Sequence, residues 1–187
     1  MQGHIDGVKG VGAIPINEKN QCKFGALDID EYPLDHKQLV DKLNQFKIPC
    51  IVCRSKSGGA HIFFFFTEWM EAADFRDKAA EIAAALGHGR CEIFPKQEQV
   101  LVERGDVGNF INLPYFDAEK TLRFAYWKEK SKYVEATLQQ FIDRIHKIKC
   151  DPNKFMELSV GGKPNLYPGY VPCLKSLLTM GIFEGGR

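Results

Sequence analysis

The sequence has 187 residues, 44% hydrophobic and 26% charged, and carries a formal net charge of +1. That length allows one compact domain with a small appendage, and the composition excludes a disordered chain. No run is apolar enough to span a bilayer and no signal-peptide pattern opens the chain. A soluble, cytoplasmic protein with no membrane partner is therefore expected, and any nucleic-acid binding must come from local basic clusters.

In chain order, residues 11–16 (VGAIPI) and 22–30 (CKFGALDID) are predicted as consecutive strands joined by the polar turn NEKN. Residues 35–46 show helical spacing, with Leu39, Val40, Leu43 and Phe46 on one face. IPCIVCRS and AHIFFFF, separated by KSGG, read as strand, tight turn, strand. Residues 71–86 form the clearest helix, closed by Gly87, and CEIF at 91–94 is a short strand stopped by Pro95. NFINLPYF at 109–116 and LRFAYW at 122–127 are expected to be extended, and 134–148 to be an amphipathic helix. Strands and helices mix without strict βαβ alternation, and there are no internal repeats. An α+β fold with a mostly antiparallel or mixed sheet follows.

Six cysteines in a chain without a secretory signal are expected to be thiols. Cys50 and Cys53 have C-x-x-C spacing, and His88 with Cys91 have H-x-x-C spacing, which makes zinc conceivable. Cys50 and Cys53 sit in what reads as a buried strand, however, where residues three apart face opposite ways. The bland reading is the stronger one.

The strand GALDIDEY carries Asp28 and Asp30 on one face, with Leu27 and Ile29 on the other. Two carboxylates at that spacing suit a hard cation, although on their own they read better as a solvated strand end. RSKSGGAHIFFFF adds a turn in which Gly58 and Gly59 allow backbone N–H groups to form an anion nest. Arg54, Lys56, Ser57 and His61 flank it, a composition suited to a triphosphate. Glu92, in CEIFPKQ, supplies a third acid, with Lys96 and Gln97 just beyond. Three acids and an anion nest are the composition of a two-metal nucleotidyl-transfer site.

The ordered segments GALDIDEY, SKSGGAHIFFFF, EIFPKQ and GNFINLPYF, preceded by HIDGVKGVGAIPI, resemble the catalytic core of archaeo-eukaryotic-type primases. They are most similar to the primase–polymerases of phages, plasmids and other mobile elements, over roughly residues 4–116. The resemblance implies an RRM-like catalytic sheet packed against a second α/β module. It also implies a DNA primase or polymerase that joins nucleoside triphosphates on a single-stranded DNA template and primer, in a bacterial or phage-infected cell. In that family the D-x-D acids bind magnesium or manganese, which would be Asp28 and Asp30, and Glu92 would complete the metal site. The resemblance assigns His61, and with it Ser57, to the nucleotide phosphates. Lys56, Lys96 and Asn109 become phosphate, sugar or template contacts, with Arg54, Gly58 and Gly59 in the same nucleotide-binding set.

The expected organisation is a catalytic core over residues 1–150, a Gly/Pro-rich linker over 151–172 and the start of a helical region at 173–187. The ending resembles the region after the core in mobile-element primases, which implies a longer protein with a helicase domain as an expectation. Two other classes stand beside the polymerase: a non-catalytic single-stranded nucleic-acid-binding module with the same fold, and a metal-dependent nuclease. The former has no need of metal carboxylates, and the latter no need of a triphosphate nest.

Overall fold

The computed structural model describes residues 1–160. Short helix α1 (Gln2–Ile5) precedes strands β1 (Gly12–Ala13) and β2 (Gln21–Ile29), helix α2 (His36–Gln45), and the hairpin β3 (Ile51–Arg54) and β4 (Ala60–Glu71). Helix α3 (Ala72–Leu86), strand β5 (Glu92–Phe94), strand β6 (Ile111–Asn112) and helix α4 (Ala118–Thr121) follow. Hairpin β7 (Ala125–Glu129) and β8 (Lys132–Ala136) leads into helices α5 (Leu138–Ile148) and α6 (Pro152–Met156). Among the described residues no helix is long and apolar enough to cross a membrane.

Six strands form one antiparallel sheet in the order β5-β2-β4-β3-β7-β8, and β1 pairs with β6 in a separate two-stranded ribbon. The fold is thus mixed α/β built on antiparallel pairing.

Pleat alternation divides the sheet's side chains between two faces. Leu27, Ile29, Val52, Ala60, Ile62, Phe64 and Phe66 meet Leu39, Val40 and Leu43 of α2 and Phe75, Ala79 and Ile82 of α3. Phe155 of α6 joins them, with ring centroids 5.5 Å from Phe64, 5.1 Å from Phe66 and 6.0 Å from Phe75. Such aromatic pairs add about 0.5–1.5 kcal/mol each beyond the area they bury. The helix caps are local: Asp35 accepts from the amides of Lys37 and Gln38, and Thr137 forms a capping box with Gln140. On the other face Ala26, Phe63, Ile51 and Cys53 pack under Phe141 of α5 and Tyr115. This second face is only partly covered, and its open end carries the charged residues.

Several sequence expectations change here. The segment 11–16 contributes only Gly12–Ala13, and it pairs with β6 instead of β2; Ile16 alone bridges to Cys22. The segment 109–116 is strand only at Ile111–Asn112. The helix expected from residue 134 begins at Leu138, because Val134 belongs to β8, where it stands opposite Trp127. The linker expected from residue 151 starts as structure: Phe155 of α6 is fully buried and Val160, beyond the helix, nearly so. The rest of that linker and the helical region at 173–187 lie outside the described residues.

Candidate functional site

The strand register decides which charged residues meet. Asp28 stands opposite His61 on one side and opposite Glu92 on the other, and His61 stands opposite Cys53. Directly opposed residues share a face, so Glu92, Asp28, His61 and Cys53 form one row across β5, β2, β4 and β3. Asp28 Oδ1 lies 3.2 Å from His61 Nε2, with the two side chains only 16% and 8% exposed. The approach is too poorly aligned for a hydrogen bond, so that oxygen is buried without a donor. His61 meets Phe63 edge-on at 5.8 Å.

Asp30 follows the end of β2 and is exposed, and Tyr32 donates its hydroxyl hydrogen to Asp30 Oδ1 at 2.8 Å. Glu92 shares the row but not the cluster. Its carboxylate is exposed and takes a 2.8 Å bond from Lys96 Nζ, which also sits 5.0 Å from the Phe94 ring centre. Arg76 holds this edge from α3, donating to the carbonyls of Pro95 at 2.7 Å and Ile93 at 3.4 Å.

The β3–β4 turn is tightly built. Ser55 N–H donates to the Gly59 carbonyl at 2.9 Å, and His36 Nε2 donates to the same oxygen at 2.9 Å. Gly59 is required by crowding: a Cβ there would lie 2.1 Å from the Ile29 carbonyl oxygen. Gly58 has φ 96°, the left-handed region that favours glycine. Its N–H, however, donates to the Ser55 carbonyl at 3.2 Å, so the anion nest expected across both glycines is partly spent within the turn. Lys56 and Ser57 project from the turn into solvent. Arg54 pairs with Ala60, which puts it on the helix-covered side of the pleat, away from the Asp28–His61 row. Its guanidinium lies 3.1 Å from where a Gly58 Cβ would sit. Asn109 is exposed and linked to Gln97 by two hydrogen bonds.

Two residues of this region were not visible from the sequence. Ser55 is 4% exposed and its hydroxyl has no hydrogen-bond partner among the described residues. Arg123 is 6% exposed, and burial pushes its guanidinium below the usual arginine range. Burial also pushes the Cys53 thiol well up and Cys91 up to about 11, with Asp28 adding to the latter, so neither is a reactive thiolate. His88 Nδ1 lies 2.9 Å from Glu31, not on Cys91. Among the described residues no group of three or more His, Cys, Asp or Glu side chains converges as a metal cage.

That finding bears on the choice of cation. Zinc at a structural site requires a closed set of four ligands. Magnesium is held by one or two carboxylates plus substrate phosphates and keeps several waters. A buried Asp28 oxygen with no donor, beside an exposed Asp30, fits the second chemistry. Asp30 and Glu92 are exposed, whereas the Asp28 side chain is 16% exposed. The groove of about 670 Å³ lined by Ile14, Trp69, Val102 and Val107 also includes Gln21, at the opposite end of β2.

The family model described as the Archaeo-Eukaryotic Primase domain of the TOTE conflict system matches residues 1–154. No curated protein matches the chain.

Proposed function

The chain belongs to the archaeo-eukaryotic primase domains of TOTE conflict systems, and from that premise we propose a template-directed nucleotidyltransferase, a DNA primase or polymerase. The family supports primase-like nucleotidyl transfer at the level of the superfamily. The finer reading rests on one observation: Asp28, with an unsatisfied buried oxygen, is held in register beside His61 on the sheet face away from α2 and α3. The face arrangement supports an RRM-like core, with α2 and α3 on one side and the acids on the other.

In this reading Asp28 and Asp30 hold magnesium or manganese together with the triphosphate, and the ion neutralises charge at the reacting phosphate. Tyr32 orients Asp30 through its hydroxyl. Glu92, which shares the row of Asp28, is the third acid of the set and serves once Lys96 turns from it. His61, buried next to Asp28, presents its ring N–H to a phosphate oxygen, a charge-assisted bond. Lys56 and Ser57, exposed at the turn, add positive charge and a hydroxyl for the triphosphate, whereas Arg54 lies on the other face of the sheet. Gly58 and Gly59 keep the backbone close, and Lys96 and Asn109 face the sugar or template. The partners are nucleoside triphosphates, a single-stranded DNA template and a primer.

The test is an incubation with end-labelled primer, template strand, deoxynucleoside triphosphates and magnesium or manganese. Strand growth dependent on template is the expected result. Retention of the labelled strand without growth would identify a binding module, and shortening of it a nuclease; either outcome overturns the proposal.

A further inference from the structure

Continuing the register one residue past each strand end produces a second row on the acid-bearing face. Asp28 opposite His61 leads to Asp30 opposite Gly59, and the Ser55–Gly59 hydrogen bond sets Ser55 on the far side of that glycine. On the next strand, Arg54 N–H donates to the Phe124 carbonyl at 3.0 Å, in register with Cys53 opposite Ala125. Arg123 therefore stands opposite Ser55. Gly59 contributes no side chain to the row, and the Ser55 hydroxyl lies 3.2 Å from where its Cβ would be.

Ser55 and Arg123 are both more than nine-tenths buried, and each has a polar atom without a partner among the described residues: Ser55 Oγ and Arg123 Nε. Arg123 Nη2 donates to the Leu113 carbonyl at 2.9 Å, and the guanidinium lies 5.6 Å from the Phe116 ring centre. Among the described residues no carboxylate lies within ion-pair distance of Arg123, although eight other pairs are present. A buried guanidinium without an anion is costly, and its planar fork matches phosphate oxygens two at a time. A buried hydroxyl without a partner carries a penalty of the same kind. With strands about 4.8 Å apart, the row places Arg123 about 14 Å from Asp30 along the backbone plane.

We propose that Ser55 and Arg123 form an anion subsite for the distal phosphates of a nucleoside triphosphate whose reacting phosphate lies at Asp28 and Asp30. The inference rests on the nucleotidyltransferase reading and deepens it. The turn glycines bring the backbone close, while the fixed positive charge comes from β7's approach, a segment remote in sequence. His36, through the Gly59 carbonyl, is a positioning residue that keeps Ser55 in place.

Calorimetric titration of the protein with inorganic tripolyphosphate, dATP and dAMP, in the presence of magnesium, tests the subsite. Ser55→Ala should weaken tripolyphosphate and dATP binding about 5-fold, and Arg123→Met about 10- to 100-fold, the range of charge-assisted hydrogen bonds. Binding of dAMP, which has no distal phosphates, should not change in either variant. Arg123 also braces the Leu113–Phe116 segment, so Ser55→Ala provides the arm that preserves the fold; its melting temperature should not fall. The inference is overturned if both variants bind tripolyphosphate within twofold of the wild type, or if the wild type does not bind it. Strand extension is scored separately on the same preparations. Failure of the nucleotidyltransferase reading would appear as phosphate binding without extension.

Discussion

Replacing Gly59 by alanine adds a single methyl group at the most crowded point of the β3–β4 turn. The new Cβ would sit 2.1 Å from the Ile29 carbonyl oxygen and 3.2 Å from its carbon. Both atoms are backbone, so no side-chain rotation relieves the clash. Carbon–oxygen contacts between neighbouring strands settle at about 3.3–3.6 Å, so the end of β2 and the turn must part by about 1.2 Å. Overpacking of this kind costs about 1–3 kcal/mol, which lowers the melting temperature by about 3 °C per kcal/mol in a chain this size. The displaced backbone leads directly into Asp30 and carries the Gly59 carbonyl held by His36. Misplacement by about 1 Å near reacting groups reduces rates about 100-fold. Gly58→Ala is the control. It carries a left-handed φ of 96°, but its Cβ meets only the Arg54 side chain, which can swing aside. It should lose about 1–2 kcal/mol of stability without displacing the end of β2. The assay is a thermal melt together with primer extension on both variants. Gly59→Ala melting and extending like the wild type would refute the claim that this close approach positions the acids.

Phe155→Ala should cost about 3–5 kcal/mol, a drop in melting temperature on the order of 10 °C, because the ring is fully buried among Phe64, Phe66 and Phe75. A melt unchanged by the substitution would mean that residues 151–160 are not part of the packed body. Burial pushes the Cys22 thiol up to about 12 and the Cys53 thiol well up, so at pH 8 both are protonated and fully shielded. Iodoacetamide should leave them unmodified in native protein and label them in urea; stoichiometric native labelling would contradict their placement.

The elements that were legible from the sequence are those whose burial pattern has one period throughout. Leu39, Val40 and Leu43 fall on one helical face and are buried there, and the Ala-rich run to Gly87 ends as a helix at that glycine. Strand β8 was hidden because Val134, Leu138, Phe141 and Ile145 continue a helical spacing across a strand–helix junction. All four pack with the same core cluster, so the period runs on while the backbone changes. The capping box at Thr137 and Gln140 was the signal that marked the true start.

The acids and His61 could be named from motifs. The row that joins them could not, because it depends on a register between residues 33 positions apart (Asp28 and His61) and 64 apart (Asp28 and Glu92). For the same reason the motif includes Arg54, which the pleat turns to the other face, and carries no mark of Ser55 or Arg123. A motif records residue types along the chain, whereas a strand face is selected by pairing.

The metal-holding role proposed for Asp28 of β2 and Asp30 just past its end carries the nucleotidyltransferase reading. It is tested most directly by template-directed primer extension with Asp28→Asn and Asp30→Asn, each nearly isosteric with the carboxylate it replaces, across a manganese titration. The account predicts strand growth by the wild type and its loss by at least about 100-fold in both variants at saturating metal, with melting temperatures preserved. Extension by either variant within a few-fold of the wild type would contradict it.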